Sequence, residues 1–133
     1  MSIYRAKIDK ADQAFSLYIR ERDRWTCQRC FKIYEHDTKR IHNSHYWGRG
    51  RESTRFDPEN CDALCFYCHD QWEGEKQGDY KFFKEKQLGA TRYKLLMARA
   101  YTPGKKDRKA QLIIWRQAYL DLCREHGTTP LKI

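Results

Sequence analysis

The chain is 133 residues long, one domain's worth, and its 27 Lys and Arg against 18 Asp and Glu give a net charge of +9 and a pI near 9.3. A 14% aromatic content argues against disorder, aliphatic runs such as Leu95–Ala98 and Leu112–Trp115 are far too short to span a membrane, and the opening MSIYRAKIDK lacks the apolar stretch of a secretory leader. A positive excess this large, on a chain with 34% charged residues and a thin core, points to a polyanionic partner, nucleic acid first, and to a fold helped by a metal or ligand.

In chain order, residues 9–24 read as a helix, because Ala11, Phe15, Tyr18, Ile19 and Arg22 fall at helical spacing and Asp9 or Asp12 can cap it. Residues 26–64 change character: short β-compatible pieces, a Gly48-Arg49-Gly50 turn and Pro58 predict a knuckle, a hairpin and loops. Helix resumes from Cys65 to about Gln77, with Gly78 as its terminator. Further helical patterns cover about 79–88, ending at Gly89, and then, capped by Thr91, run to about Tyr101, where Thr102-Pro103-Gly104 breaks the pattern. A last helix covers about 107–125, with Leu112, Ile113, Trp115, Tyr119, Leu122 and Cys123 near one stripe and Gly127 past its end. Tyr80, Phe82, Phe83, Tyr93, Leu95 and Leu96 read as helix-packing core rather than a base-stacking platform. The final TTPLKI reads as a loose tail.

Two CxxC pairs stand out, Cys27-Gln28-Arg29-Cys30 and Cys65-Phe66-Tyr67-Cys68. A two-residue knuckle brings its thiolates to one tetrahedral ion, so two pairs predict a closed, structural zinc site of four cysteines. The chain reads as cytosolic, and in a reducing compartment clustered cysteines are metal ligands rather than disulfides. Cys61 and Cys123 are left over and read as buried small apolar residues. The 34 residues between the pairs exceed the gap of a compact zinc ribbon, so that stretch must carry something. Within and beside it stand His45, just before the Gly48-Arg49-Gly50 turn, Asn60, and His69 directly after the last cysteine.

The string Asn60-Cys61-Asp62-Ala63-Leu64-Cys65-Phe66-Tyr67-Cys68-His69 resembles the NxxxLCxxCH signature of HNH nucleases, with His45 where that family has its first histidine. SHYWGRGRESTRFDPENCDALCFYCH further resembles the NinG/Rap-like branch of phage recombination nucleases, and the placement of CxxC, His and CxxC is similar to that in phage endonuclease VII. The resemblance covers about residues 25–75. It implies an α+β fold: a zinc-bound, treble-clef-like ββα-metal core over about 25–77, after an N-terminal helix and before a helical extension over about 79–126, all one domain over 1–133. It implies a metal-dependent DNA endonuclease, phage-encoded and working in the cytoplasm of a bacterial host, acting on branched or recombination-intermediate DNA. His45 would take the proton of the attacking water, His69 would ligate a catalytic divalent cation such as Mg2+, and Asn60 would tie hairpin to helix and orient His45.

One position departs from the family pattern. Most members carry Asp or His directly before the first catalytic histidine, as a cation ligand, and here that residue is Ser44, a poor ligand for a hard cation. His42 shares Ser44's strand face and is a candidate substitute; Asp57, solvent or phosphate are others. Arg49, Arg51 and Arg55, close to the site, are candidates to grip DNA phosphates, with Arg55-Phe56-Asp57 also open to a structural reading. Lys105, Lys106, Arg108 and Lys109 form a basic run at the start of the last helix, equally a solvated turn or a DNA contact. Cutting both strands of a junction would call for a homodimer. The rival reading is an inactive zinc-stabilised module that binds DNA or a recombination partner.

Overall fold

In the computed structural model, which describes residues 7–133, the chain runs α1 (Lys10–Arg22), β1 (Ile41–His45), α2 (Glu52–Arg55), a 3-10 turn (Pro58–Asn60), β2 (Cys61–Cys65), α3 (Phe66–Glu73), α4 (Gln77–Ala100) and α5 (Arg108–His126). The fold is mixed α+β with a two-stranded sheet. Among the described residues, no helix is long and apolar enough to cross a membrane.

Asp9 starts α1 through a reciprocal capping box with Asp12, each side chain accepting from the other's backbone N–H. β1 and β2 pair antiparallel in a register that sets Ile41 against Cys65, Ser44 against Asp62 and His45 against Cys61. Strand alternation then sorts the hairpin's two faces. Ile41, Asn43, His45, Cys61, Ala63 and Cys65 turn toward α1, where the Phe15 ring lies 6.2 Å from that of His45. His42, Ser44, Asp62 and Leu64 turn toward α3 and α4, where Ser44 Oγ meets the Tyr80 hydroxyl at 3.0 Å. Helices thus cover both faces of a hairpin that is too small to be stable alone.

α5 packs along α1, with the Trp115 ring 4.7 Å from Phe15 and 5.0 Å from Tyr18. The buried Glu21 carboxylate fastens the far end, accepting from Trp25 Nε1 at 3.0 Å and meeting His126 Nδ1 at 2.6 Å. On the other face, the fully buried Lys84 locks α4 to the hairpin: its Nζ donates to Asp62 at 2.7 Å, to the Glu59 carbonyl at 2.9 Å and to Gln87 at 2.8 Å. All three ammonium protons find acceptors, the condition for tolerating a buried charge.

Several sequence expectations shift in position. α3 ends at Glu73, with Gly74 as its cap and Lys76 N–H reaching back to the Gln71 carbonyl, so Gly78 lies inside α4 rather than ending α3. α4 breaks where expected, at Gly89, whose φ of 80° and ψ of 165° are open only to glycine. α5 begins at an Asp107 cap and ends on left-handed Gly127. Phe82 and Leu95 are solvent-exposed rather than core, unlike Tyr80, Tyr93 and Leu96. The last residues are not loose: Leu131 and Ile133 pack against the main core cluster, and Leu131 N–H donates to the Tyr119 hydroxyl at 2.8 Å.

Candidate metal centre and active site

The cysteine knuckles are built by local backbone bonds. Phe31 N–H closes on the Cys27 carbonyl at 2.8 Å, and Cys27 N–H on Lys32 at 2.9 Å; this turn forces Phe31 to a φ of 65°. Gln28 N–H donates to Ala63 at 2.9 Å and ties the knuckle to β2. The second pair sits at the junction of β2 and α3, where Cys65 is the N-cap and Cys68 lies in the first turn. The sulfurs of Cys27, Cys30, Cys65 and Cys68 all lie within 4.8 Å of one another, with Cys30 and Cys65 3.9 Å apart. Sulfurs about 2.3 Å from a tetrahedral zinc would be about 3.8 Å apart, so the donor set fits that ion in geometry and in softness. Burial opposes ionisation of Cys65, but the Cys68 N–H and neighbouring thiols pull it down to about 7. Cys61 and Cys123 are buried and stand outside the cluster.

His45 ends β1. Its Nε2 lies 2.9 Å from the Arg55 carbonyl, an acceptor only, so that nitrogen carries the ring proton and Nδ1 keeps the lone pair. Burial disfavours the imidazolium and pushes its pKa down to about 4, against a smaller upward pull from that carbonyl. The fully buried Asn60 spends its side-chain hydrogen bonds on groups other than His45. Its Nδ2 donates to the carbonyls of Trp47 at 2.9 Å and Thr54 at 3.0 Å, and its Oδ1 accepts from Trp47 N–H at 2.8 Å. It clasps the loop between β1 and the 3-10 turn rather than joining hairpin to α3, and so positions the loop that presents the Arg55 carbonyl.

His69 stands on the first turn of α3. The imidazole brought against it is His42, with the two Nδ1 atoms 3.0 Å apart, while His45 lies on the opposite strand face. His69 Nε2 meets Glu73 Oε1 at 2.7 Å, one helical turn on. The hydrogen bond from His69 holds the Glu73 carboxyl low, with weaker attraction from His45 and Arg49, so the end of β1 and this face of α3 share one electrostatic neighbourhood. Sequence reasoning missed Glu73, although its four-residue spacing from His69 is visible. Ser44 is fully buried against Tyr80 and faces Asp62 across the strands. A carboxylate there would have set two buried like charges side by side. Asp57 caps the 3-10 turn and pairs with Arg99 at 2.7 Å.

Of the three arginines, Arg55 does not face the site. It is buried, its guanidinium gripping Asp12 through Nε at 2.8 Å and Nη2 at 2.5 Å, with a further bond to the Lys7 carbonyl. It is a structural cation locking the loop to α1, with no face left for phosphate. Arg51 is exposed and stacks over Trp47 and Tyr101, 5.3 Å and 4.7 Å from their ring centres. Arg108, from the basic run, pairs with Asp9 and Glu52 and fastens the start of α5. Comparison of the chain with protein-family models, curated proteins and solved structures finds no match.

Proposed function

We propose that the protein is a metal-dependent DNA endonuclease of the HNH type, acting on branched or recombination-intermediate DNA. The observation that carries the reading is His45: a neutral imidazole whose protonated nitrogen is held by a backbone carbonyl, leaving Nδ1 as a lone-pair base. It sits on a hairpin that four cysteines tie to the helix bearing His69. His45 and His69 stand on opposite faces of β1, and both draw on the Glu73 carboxyl electrostatically, which is the support the structure offers for their acting on one substrate. In the reaction, His45 Nδ1 accepts a proton from water as the water oxygen bonds to phosphorus and the phosphorus–oxygen bond to the leaving sugar breaks. A divalent cation at His69, when bound, supplies positive charge for the phosphate and the departing alkoxide. Arg49, Arg51 and the net charge of +9 favour a polyanionic substrate.

A second reading, a DNA-binding module without activity, draws support from Ser44, whose burial against Tyr80 takes the family's cation-binding position out of the site. A nicking assay on linear, flapped and four-way DNA with magnesium or manganese separates the two. Cutting by the wild type, reduced by about 100-fold or more in His45→Ala at unchanged zinc content and DNA affinity, is the expected outcome. Binding without cutting by the wild type would favour the inactive module.

A further inference from the structure

Three arginines around the loop after β1 are spent within the fold: Arg55 on Asp12, Arg99 on Asp57 and Glu59, and Arg108 on Asp9 and Glu52. Arg51 is different. Among the described residues its guanidinium meets no carboxylate; it lies over the rings of Trp47 and Tyr101, and its Nη1 donates to the Ala100 carbonyl at 3.3 Å. That carbonyl belongs to the last turn of α4, where final carbonyls lack helical partners and attract a cation. Ser53 Oγ donates to the same oxygen at 3.3 Å, so two donors fix the loop after β1 to the end of α4. The two rings stand edge to face with centroids 5.5 Å apart, and Tyr101 is 63% exposed. The result is a solvent-facing wall of two rings and one planar cation that keeps most of its donors open.

Beside this wall opens a crevice of about 210 Å³, between α2 and the loop from α4 to α5, lined by Ser53, Thr102, Lys105 and Lys106 together with Arg99. Among the described residues the ammonium groups of Lys105 and Lys106 form no ion pair, so their charge faces the crevice uncompensated. We infer that Trp47, Arg51 and Tyr101 seat an unpaired base of a single-stranded DNA segment whose phosphates run past Lys105 and Lys106. This rests on the reading of the substrate as branched DNA, and adds where the unpaired strand at the branch is held. Every base offers a π-face to a ring or a guanidinium, but inside a duplex the next base pair covers that face, so a stacking wall selects unpaired nucleotides. The lysines meet the backbone as point charges and read no sequence. Arg51 thereby works through its plane rather than as a phosphate clamp. Trp47 follows His45 by two residues and its backbone is held by Asn60, so a strand seated here passes the end of β1. The α4–α5 loop brings the helical extension into the path of the substrate.

The test is fluorescence anisotropy of the zinc-replete full chain with labelled oligonucleotides, without added divalent cation so that nothing is cut. The probes are a blunt duplex and the same duplex carrying a single-stranded arm. The wild type should bind the armed duplex about 10-fold or more tightly than the blunt one. Tyr101→Ala and Arg51→Ala, both at exposed positions, should each remove about 5-fold or more of that preference, the usual effect of losing a stacking partner. Tyr101→Phe keeps the ring and should keep the preference. Lys105→Gln combined with Lys106→Gln should lower the slope of log affinity against log salt by about 1 to 1.5 for the armed duplex. In the wild type, an iodouracil placed in the arm should crosslink on irradiation to Trp47 or Tyr101, a measurement that needs no variant to fold. Equal affinity for the two probes, a preference untouched by Tyr101→Ala, or crosslinks confined to other residues would overturn the inference. A chain that prefers the armed duplex through Tyr101 but cuts no DNA with any ion would sink the nuclease reading alone. A chain that cuts branched DNA while its arm crosslinks elsewhere would sink this inference alone.

Discussion

Burial holds the His45 pKa near 4, and the consequence is a proton that the unfolded chain binds and the folded chain refuses. Unfolded imidazole titrates near 6.5, so between about pH 6.5 and 4 unfolding takes up a proton. Stability contributed by keeping this ring neutral is present above that window and is lost as pH falls through it, by at most about 3 kcal/mol. His45→Gln keeps an N–H for the Arg55 carbonyl but cannot titrate. Its urea midpoint should fall less than that of the wild type between pH 7 and 4.5; an equal fall would clear the imidazole of responsibility. At this scale the sequence was legible in its residue types and blind to their partners. The oddity of Ser44 was visible, but its reason lies in a register that sets Asp62 opposite it. Arg55 read as a phosphate ligand because its anion, Asp12, stands 43 positions away.

At the scale of elements, punctuation residues carried most of the signal. Asp9, Asp107, Gly89 and Gly127 mark helix starts, a break and an end because each does something locally that few residues can. Gly78 read as the end of α3, whereas the chain turns four residues earlier at Gly74, which the local pattern did not mark. α2 has only four residues, too few for a period to show. Gly89 invites a direct test. Its backbone region excludes other L-residues, so Gly89→Ala should destabilise the protein by about 1–3 kcal/mol. Thermal melts would read this as a lowered midpoint with little change in helical content. An unchanged midpoint would mean that α4 straightens through the substitution without penalty.

For the whole molecule, the four cysteines reinforce a junction that backbone and side-chain bonds already span, among them Gln28 N–H to the Ala63 carbonyl and Ala63 N–H to Asp23. Cys27 and Cys30 come from the loop after α1, and Cys65 and Cys68 from the junction of β2 and α3. Binding free energy at such a site is folding free energy. Removing zinc with a strong chelator should therefore cost near-ultraviolet circular dichroism and helix signal together, in step with metal release; native spectra after full release would contradict the staple. The cluster was legible from spacing alone, whereas the pairing of α1 with α5 was not, since no local pattern names a partner about 100 residues away. That pairing has a consequence for synthesis. As the chain leaves the ribosome, both knuckles emerge well before α5, so an ion bound by the four cysteines would clasp a partly folded chain with the α5-facing side of Phe15 and Tyr18 still wet. Trp115 arrives late to cover them, and until it does the nascent protein presents a greasy helix to any chaperone waiting at the exit.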